Sequence, residues 1–206
     1  MSLTLALPKG RLFLQVQEYL NQRGLELPPL GRELVLTDKN ETLRILIVKN
    51  SDLPVYVSHG IAGLGICGSD VIYESGGAFF ELHEFSFGAT RMCLAAKRGN
   101  TREEEGPLQR LRVATKFPVF TRNFFNSRGI PVEIIKLNGS VELAPVLGLA
   151  PYIVDLVETG STLEANGLEI VEELENINVK LIANPAYYKI YYKDIDAFVR
   201  FLKENS

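Results

Sequence analysis

Residues 152 to 163 read YIVDLVETGSTL, an apolar run that delivers Asp155 and Glu158 into a turn made of Thr159, Gly160, Ser161 and Thr162. A glycine in such a turn lets backbone approach a ligand. Successive N–H groups at the start of a following helix converge on one spot and favour an anion there. The hydroxyls add donors to a phosphate monoester, while the carboxylates accept hydrogen bonds from sugar hydroxyls. Those are the needs of ribose 5-phosphate. The spacing equally allows a plain strand-to-helix turn in which Thr or Ser only caps the helix.

A second candidate lies near the start of the chain, where Lys9-Gly10-Arg11 follows an apolar run. Two cations and a glycine at a strand end suit phosphate or pyrophosphate. Alone, the same residues read as a helix start with solvated charges. Together, the two sites point to a ligand with a phosphate at each end.

These loops need rigid elements to hold them. Leu3 to Leu7 reads as a buried strand, and Leu12, Phe13, Val16, Tyr19 and Leu20 recur at helical spacing before a stop at Gly24. Further strands are expected at Leu43 to Val48, Leu64 to Cys67, Met92 to Ala96, Arg112 to Thr115, Val132 to Leu137, Tyr152 to Val157 and Lys180 to Ala183. A helix is expected from near Ser140, and a C-terminal helix carries Ile195, Phe198, Val199 and Leu202. Short apolar runs alternating with amphipathic stretches predict an α/β protein with mostly parallel strands. Asn100 to Pro107, with three consecutive glutamates beside Gly106-Pro107, reads as a solvated turn. No flexible linker divides the chain, yet the segments His59 to Gly68 and Leu147 to Asp155 share a design of glycine, small residues, strand and turn, which hints at two related lobes.

Composition narrows the function further. With 22 Lys and Arg against 25 Asp and Glu, the formal charge is -3, so there is no electrostatic footprint for nucleic acid. No apolar stretch reaches the length of a membrane span, and the N-terminus lacks a secretory leader's pattern. Cys67 and Cys93 sit inside apolar segments and read as buried structural thiols, which with the missing leader points to the cytoplasm. His59 and His83 have no Cys or His partner at zinc-ligand spacing, and each reads as a surface or packed structural residue.

Several segments together resemble the ATP phosphoribosyltransferase family, which catalyses the first step of histidine biosynthesis. They are Leu5 to Arg11, Ser51 to Val57, Ala114 to Pro118, Gly139 to Pro145 and Asp155 to Leu163, and the resemblance covers nearly the whole chain. It implies an α/β fold of two lobes resembling type II periplasmic binding proteins, with a cleft between them. Lobe I would comprise residues 1–88 and 178–206. Lobe II, residues 89–177, would carry the phosphoribosyl-binding loop.

The resemblance also implies a reaction: the phosphoribosyl group of phosphoribosyl pyrophosphate is joined to N1 of ATP, pyrophosphate leaves, and magnesium is required. Ribose 5-phosphate would rest on Asp155, Glu158, Thr159, Gly160, Ser161 and Thr162, while Lys9, Arg11 and Arg32 would meet the pyrophosphate. Asp70 and Glu142 would lie near the adenine nucleotide. The position of Glu158 is not acidic throughout the family, and many relatives have arginine where this chain has Lys49. A chain of 206 residues corresponds to the short form, which works in a hetero-oligomer with a regulatory subunit resembling histidyl-tRNA synthetase. Magnesium is expected to ride mainly on the pyrophosphate, with few protein ligands. A two-lobed binding module, and a phosphoribosyltransferase acting on a free base, are the competing readings.

Overall fold

The alternation in Leu3–Pro8 puts Leu5 and Leu7 on one side of the first strand and Ala6 on the other, and all three are fully buried. A strand covered on both faces must be near-continuously apolar, and this one is. A computed structural model describes residues 3–29, 31–100 and 110–204, and they form two compact units: Met1–Gly88 with Asn178–Ser206, and Ala89–Ile177.

In the first unit the strands are β1 (Leu3–Pro8), β2 (Val35–Thr37), β3 (Leu43–Val48) and β4 (Leu64–Gly68), with the leading part of β5 (Phe80–Lys97) and the last residues of β9 (Leu168–Ala183). The order runs β2-β3-β1-β4-β9. Strands β3 and β4 both run parallel to β1, whereas β2 is antiparallel to β3 and β9 antiparallel to β4. One face is covered by α1 (Arg11–Gln22) and α7 (Pro185–Glu204), which bury Phe13, Val16, Leu20, Ile195 and Leu202 against Leu5, Leu7, Ile45 and Ile66. On the other face Leu53 and Val57 of α2 (Leu53–Ser58) and Val71 of α3 (Ser69–Ser75) pack with Ala6, Cys67 and Ile182. Each fully buried large side chain is worth about 1.5–3 kcal/mol of transfer free energy.

Two polar side chains brace this unit. Buried Asp38 accepts hydrogen bonds from the N–H groups of Leu43 and Asn40 and from the Thr42 hydroxyl, closing the turn between β2 and β3. The Asn184 side chain donates to the carbonyls of Val57 and Ser58 and accepts from the N–H groups of Ala186 and Tyr187. It thereby caps α7 and ties it to α2.

The second unit holds β6 (Leu111–Thr115), α4 (Pro118–Ser127), β7 (Val132–Lys136), α5 (Leu143–Val146), β8 (Tyr152–Val157) and α6 (Ser161–Ala165), with the remaining parts of β5 and β9. Its strand order is β9-β5-β8-β6-β7. Strands β7 and β8 run parallel to β6, and β5 runs antiparallel to β8. Met92, Val113, Phe125, Tyr152 and Val154 fill one side of the sheet; Cys93, Ala95, Ala114, Ile153 and Leu163 fill the other.

Three differences from the sequence reading have physical causes. The strand expected over Lys180 to Ala183 begins at Leu168, because its early part is glutamate-rich and half exposed and so shows no apolar run. The helix expected from Ser140 is the four-residue α5, cut short by Leu147 and by Gly148 at φ 77°. Three antiparallel pairings, β2–β3, β4–β9 and β5–β8, accompany the parallel ones among the described residues. The solvated turn expected over Asn100 to Pro107 lies, beyond Asn100, outside the described residues.

Candidate active site

In the second unit the candidate side chains Lys116 and Asp155 meet where β6 and β8 end. The register sets Thr115 of β6 beside Val154 of β8, so Lys116 and Asp155 follow as neighbours on parallel strands. The fully buried Thr115 hydroxyl fixes this register by donating to Val154 O (2.7 Å) and accepting from Phe117 N–H (2.9 Å). Lys116 Nζ then lies 3.3 Å from Asp155 Oδ1, and the Leu156 N–H donates to the same oxygen at 2.9 Å. Asp155 Oδ2 has no hydrogen-bond partner among the described residues. Burial pushes the Asp155 carboxyl above its ordinary value; the Lys116 charge and the Leu156 amide pull it down, and nearby Glu142 pushes it up again.

Beyond Val157 the chain turns through exposed Glu158 and Thr159 into Gly160, whose φ of 82° lies in the left-handed region that glycine adopts without strain. Gly160 O accepts from Glu164 N–H, and Thr159 Oγ1 lies 3.0 Å from Ser161 Oγ. Thr159, Ser161 and Thr162 are exposed, and Ser161 N–H donates to Thr159 Oγ1 within the turn (3.4 Å). Helix α6 has only five residues, so any anion affinity here comes from the turn's own donors rather than from a long helix's dipole. Glu142 stands immediately before α5 and is close enough to Asp155 to raise its proton affinity.

In the first unit the named cations share one edge of the sheet. Lys9 and Lys49 follow the paired residues Pro8 and Val48, and Lys9 N–H donates to Val48 O (3.1 Å). Gly10, at φ 90°, breaks the strand and lets α1 begin at Arg11. Arg32 is exposed ahead of β2, and the Ile47 N–H bond to Leu34 O carries it toward the end of β3 where Lys49 sits. Ends of parallel strands in open α/β sheets are where ligands bind. Asp70 lies in the first turn of α3, at the end of β4 and on that same edge, but it is buried, 4% exposed. It acts on Cys67, whose thiol is pushed up first by burial and then by the Asp70 charge.

Sequence reasoning left Lys116 and Thr115 without roles. The signal was present, since both lie in a segment that carries the resemblance, but pairing Lys116 with Asp155 requires the β6–β8 register. The two histidines fall outside both groups: His59 is exposed behind α2, and His83, on β5, has its pKa lowered chiefly by burial.

Comparison with known proteins gives the family. The HisG family profile, described as ATP phosphoribosyltransferase, matches residues 49–204. The ATP phosphoribosyltransferase of Brachyspira hyodysenteriae is 42% identical over 206 residues, covering 98% of each chain. A solved structure described as the ATP phosphoribosyl transferase (HisG:HisZ) complex from Thermotoga maritima superposes with a TM-score of 0.84 at 36% identity, over 98% of each chain. The periplasmic aliphatic sulphonate binding protein SsuA of Escherichia coli reaches a TM-score of 0.61 at 12% identity, over 99% of this chain and 72% of SsuA. That likeness is one of fold, and it is the type II binding-protein fold that the sequence resemblance implied. The chain belongs to the ATP phosphoribosyltransferase family, pentosyltransferases that move the phosphoribosyl group of phosphoribosyl pyrophosphate to N1 of ATP, releasing pyrophosphate, in the first step of histidine biosynthesis.

Proposed function

We propose that the second unit of this ATP phosphoribosyltransferase holds the ribose 5-phosphate end of phosphoribosyl pyrophosphate and that the cations of the first unit take its pyrophosphate. The observation that carries this reading is the half-used carboxylate: Asp155 is bound at Oδ1 alone, beside a turn of hydroxyls and N–H groups. Oδ2 suits the ribose hydroxyls, and Thr159, Gly160, Ser161 and Thr162 suit the 5′-phosphate. Glu158, exposed at the head of that turn, borders the same ligand.

Attack by adenine N1 at C1 of the ribose passes through an oxocarbenium-like state, in which the ring oxygen shares positive charge as pyrophosphate departs. N1 carries a free lone pair at neutral pH, so no strong general base is needed. The protein's part is position and electrostatics. Lys9, Arg11 and Arg32 stabilise the charge growing on the leaving group, each by about 2–4 kcal/mol if they act as oxyanion donors do. Asp70 and Glu142 are assigned to the surroundings of the adenine nucleotide.

Magnesium belongs to this reading as an ion carried mainly by the pyrophosphate. An ion of this kind keeps several waters and binds through phosphate oxygens, so Asp155 is left to the ribose hydroxyls and Glu142 to the surroundings of the adenine nucleotide. When bound, it would neutralise charge on the leaving group. The partner is a regulatory subunit resembling histidyl-tRNA synthetase in a hetero-oligomer, a reading supported by the HisG:HisZ complex of the Thermotoga maritima relative. The setting is the cytoplasm; no helix among the described residues is long and apolar enough to cross a membrane.

Calorimetric titration with half-ligands separates the two sites. Ribose 5-phosphate should lose at least about tenfold in affinity with Asp155→Ala or Thr162→Ala and little with Arg32→Ala, and pyrophosphate should show the reverse. Equal sensitivity of both half-ligands to all three substitutions would contradict the assignment.

A further inference from the structure

The pair Lys116–Asp155 is too exposed on one side to matter much for stability, since ion pairs reaching solvent contribute about 0–1 kcal/mol. Lys116 is 38% exposed and Asp155 only 13%. The asymmetry is informative: a flexible cation has been brought, by strand register, to a carboxylate that is mostly withdrawn from water. Withdrawal favours the protonated acid, and protonation turns one carboxyl oxygen into an O–H donor and a poorer acceptor.

Among the described residues, the charged and titratable groups around Asp155 come from three elements, with Glu158 following on its own strand end and Arg91 of β5 acting on the Cys93 opposite it. From β6 comes Lys116; from the head of α5 comes Glu142, which opposes ionisation; across β5 stands Cys93, directly paired with Asp155 and held as a neutral thiol chiefly by burial. Among the described residues, Lys116 is the cation that acts on Asp155 itself. It also acts geometrically. Lys116 Nζ and the Leu156 N–H both bind Oδ1, and two donors on one oxygen restrict rotation of the carboxylate plane.

We infer that Lys116 is a positioning residue for phosphoribosyl transfer: paired with Asp155 across the ends of β6 and β8, it keeps that side chain a carboxylate and reserves Oδ2 for the ribose hydroxyls. The inference rests on the assignment of Asp155 to the ribose. Lys116 itself touches no reacting atom in this scheme. Its influence passes through Asp155 and is therefore graded with pH.

The test uses Lys116→Met, Lys116→Arg and Asp155→Asn in the full chain, with carboxyl-labelled aspartate followed by NMR and with steady-state kinetics over pH. Lys116→Met should move the Asp155 titration upward by about one pH unit, a tenfold change in proton affinity. The acid limb of kcat/KM for phosphoribosyl pyrophosphate should move with it, KM for ATP should stay put, and Lys116→Arg should restore most of the loss. An Asp155 signal that titrates in Lys116→Met as it does in the wild type would overturn the inference. Should the NMR shift occur while Asp155→Asn keeps a wild-type KM for phosphoribosyl pyrophosphate, the ribose assignment itself has failed, and the inference falls with it for that separate reason.

Discussion

The Thr115 hydroxyl, without solvent exposure, donates to the carbonyl of Val154 across two parallel strands at 2.7 Å. It also accepts from Phe117 N–H, so one buried oxygen holds β6 to β8 and starts the turn into α4. Thr115→Val keeps the shape and removes the oxygen, leaving a buried carbonyl and a buried amide short of a partner. The expected loss is about 1–3 kcal/mol in denaturant unfolding, together with weaker binding of phosphoribosyl pyrophosphate because Lys116 and Asp155 lose their register. Unchanged stability would mean that the two backbone groups find other partners.

Gly160 tests the turn itself. A Cβ there would meet only Val157 Cγ1, at 3.9 Å, so Gly160→Ala has room and its cost comes from the φ of 82°. That cost is about 1–2 kcal/mol, and the expected result is a raised KM for phosphoribosyl pyrophosphate with KM for ATP little changed.

Arg32 tests the leaving-group role. Arg32→Ala should lower turnover about a hundredfold, as loss of an oxyanion donor does, while leaving ATP binding within about threefold. A purely binding role would instead raise KM at constant turnover.

Asp155 also gives a signed prediction for stability. Burial raises its native pKa above the unfolded value, so the native state holds this proton more tightly. Stability associated with it is present below the unfolded pKa and is lost as pH rises through the native one. Compared with Asp155→Asn, the wild type should therefore lose Tm as pH rises across that window, and the gap should be constant above it. A gap that narrows with rising pH would show that the carboxylate is stabilised on folding.

Much of this was legible in the sequence. The apolar runs of β1, β3, β4, β6 and β8 were readable because buried parallel strands must be apolar on both faces. The turn at Gly160 was readable because its residue types are those that tolerate a left-handed backbone and donate hydrogen bonds. Strand β9 was not, since Glu172, Glu173 and Glu175 interrupt any hydrophobic pattern while the backbone pairs regardless. Nor was the pairing of Lys116 with Asp155, which are 39 positions apart and meet only through the β6–β8 register, Thr115 beside Val154 being the same separation. Asp70, a plain acidic residue in sequence, is buried beside Cys67, and nothing in its local pattern announces that.

The most direct test of the account is the near-ultraviolet absorbance of adenine when the chain, alone and together with the proposed regulatory subunit, is mixed with ATP, phosphoribosyl pyrophosphate and magnesium, with pyrophosphatase added to draw the reaction forward. Substitution at N1 changes the adenine chromophore, so the predicted result is a rise that needs both substrates and is lost in Asp155→Ala. A rise of wild-type size in Asp155→Ala, with the folded state verified, would contradict the claim that this carboxylate holds the ribose.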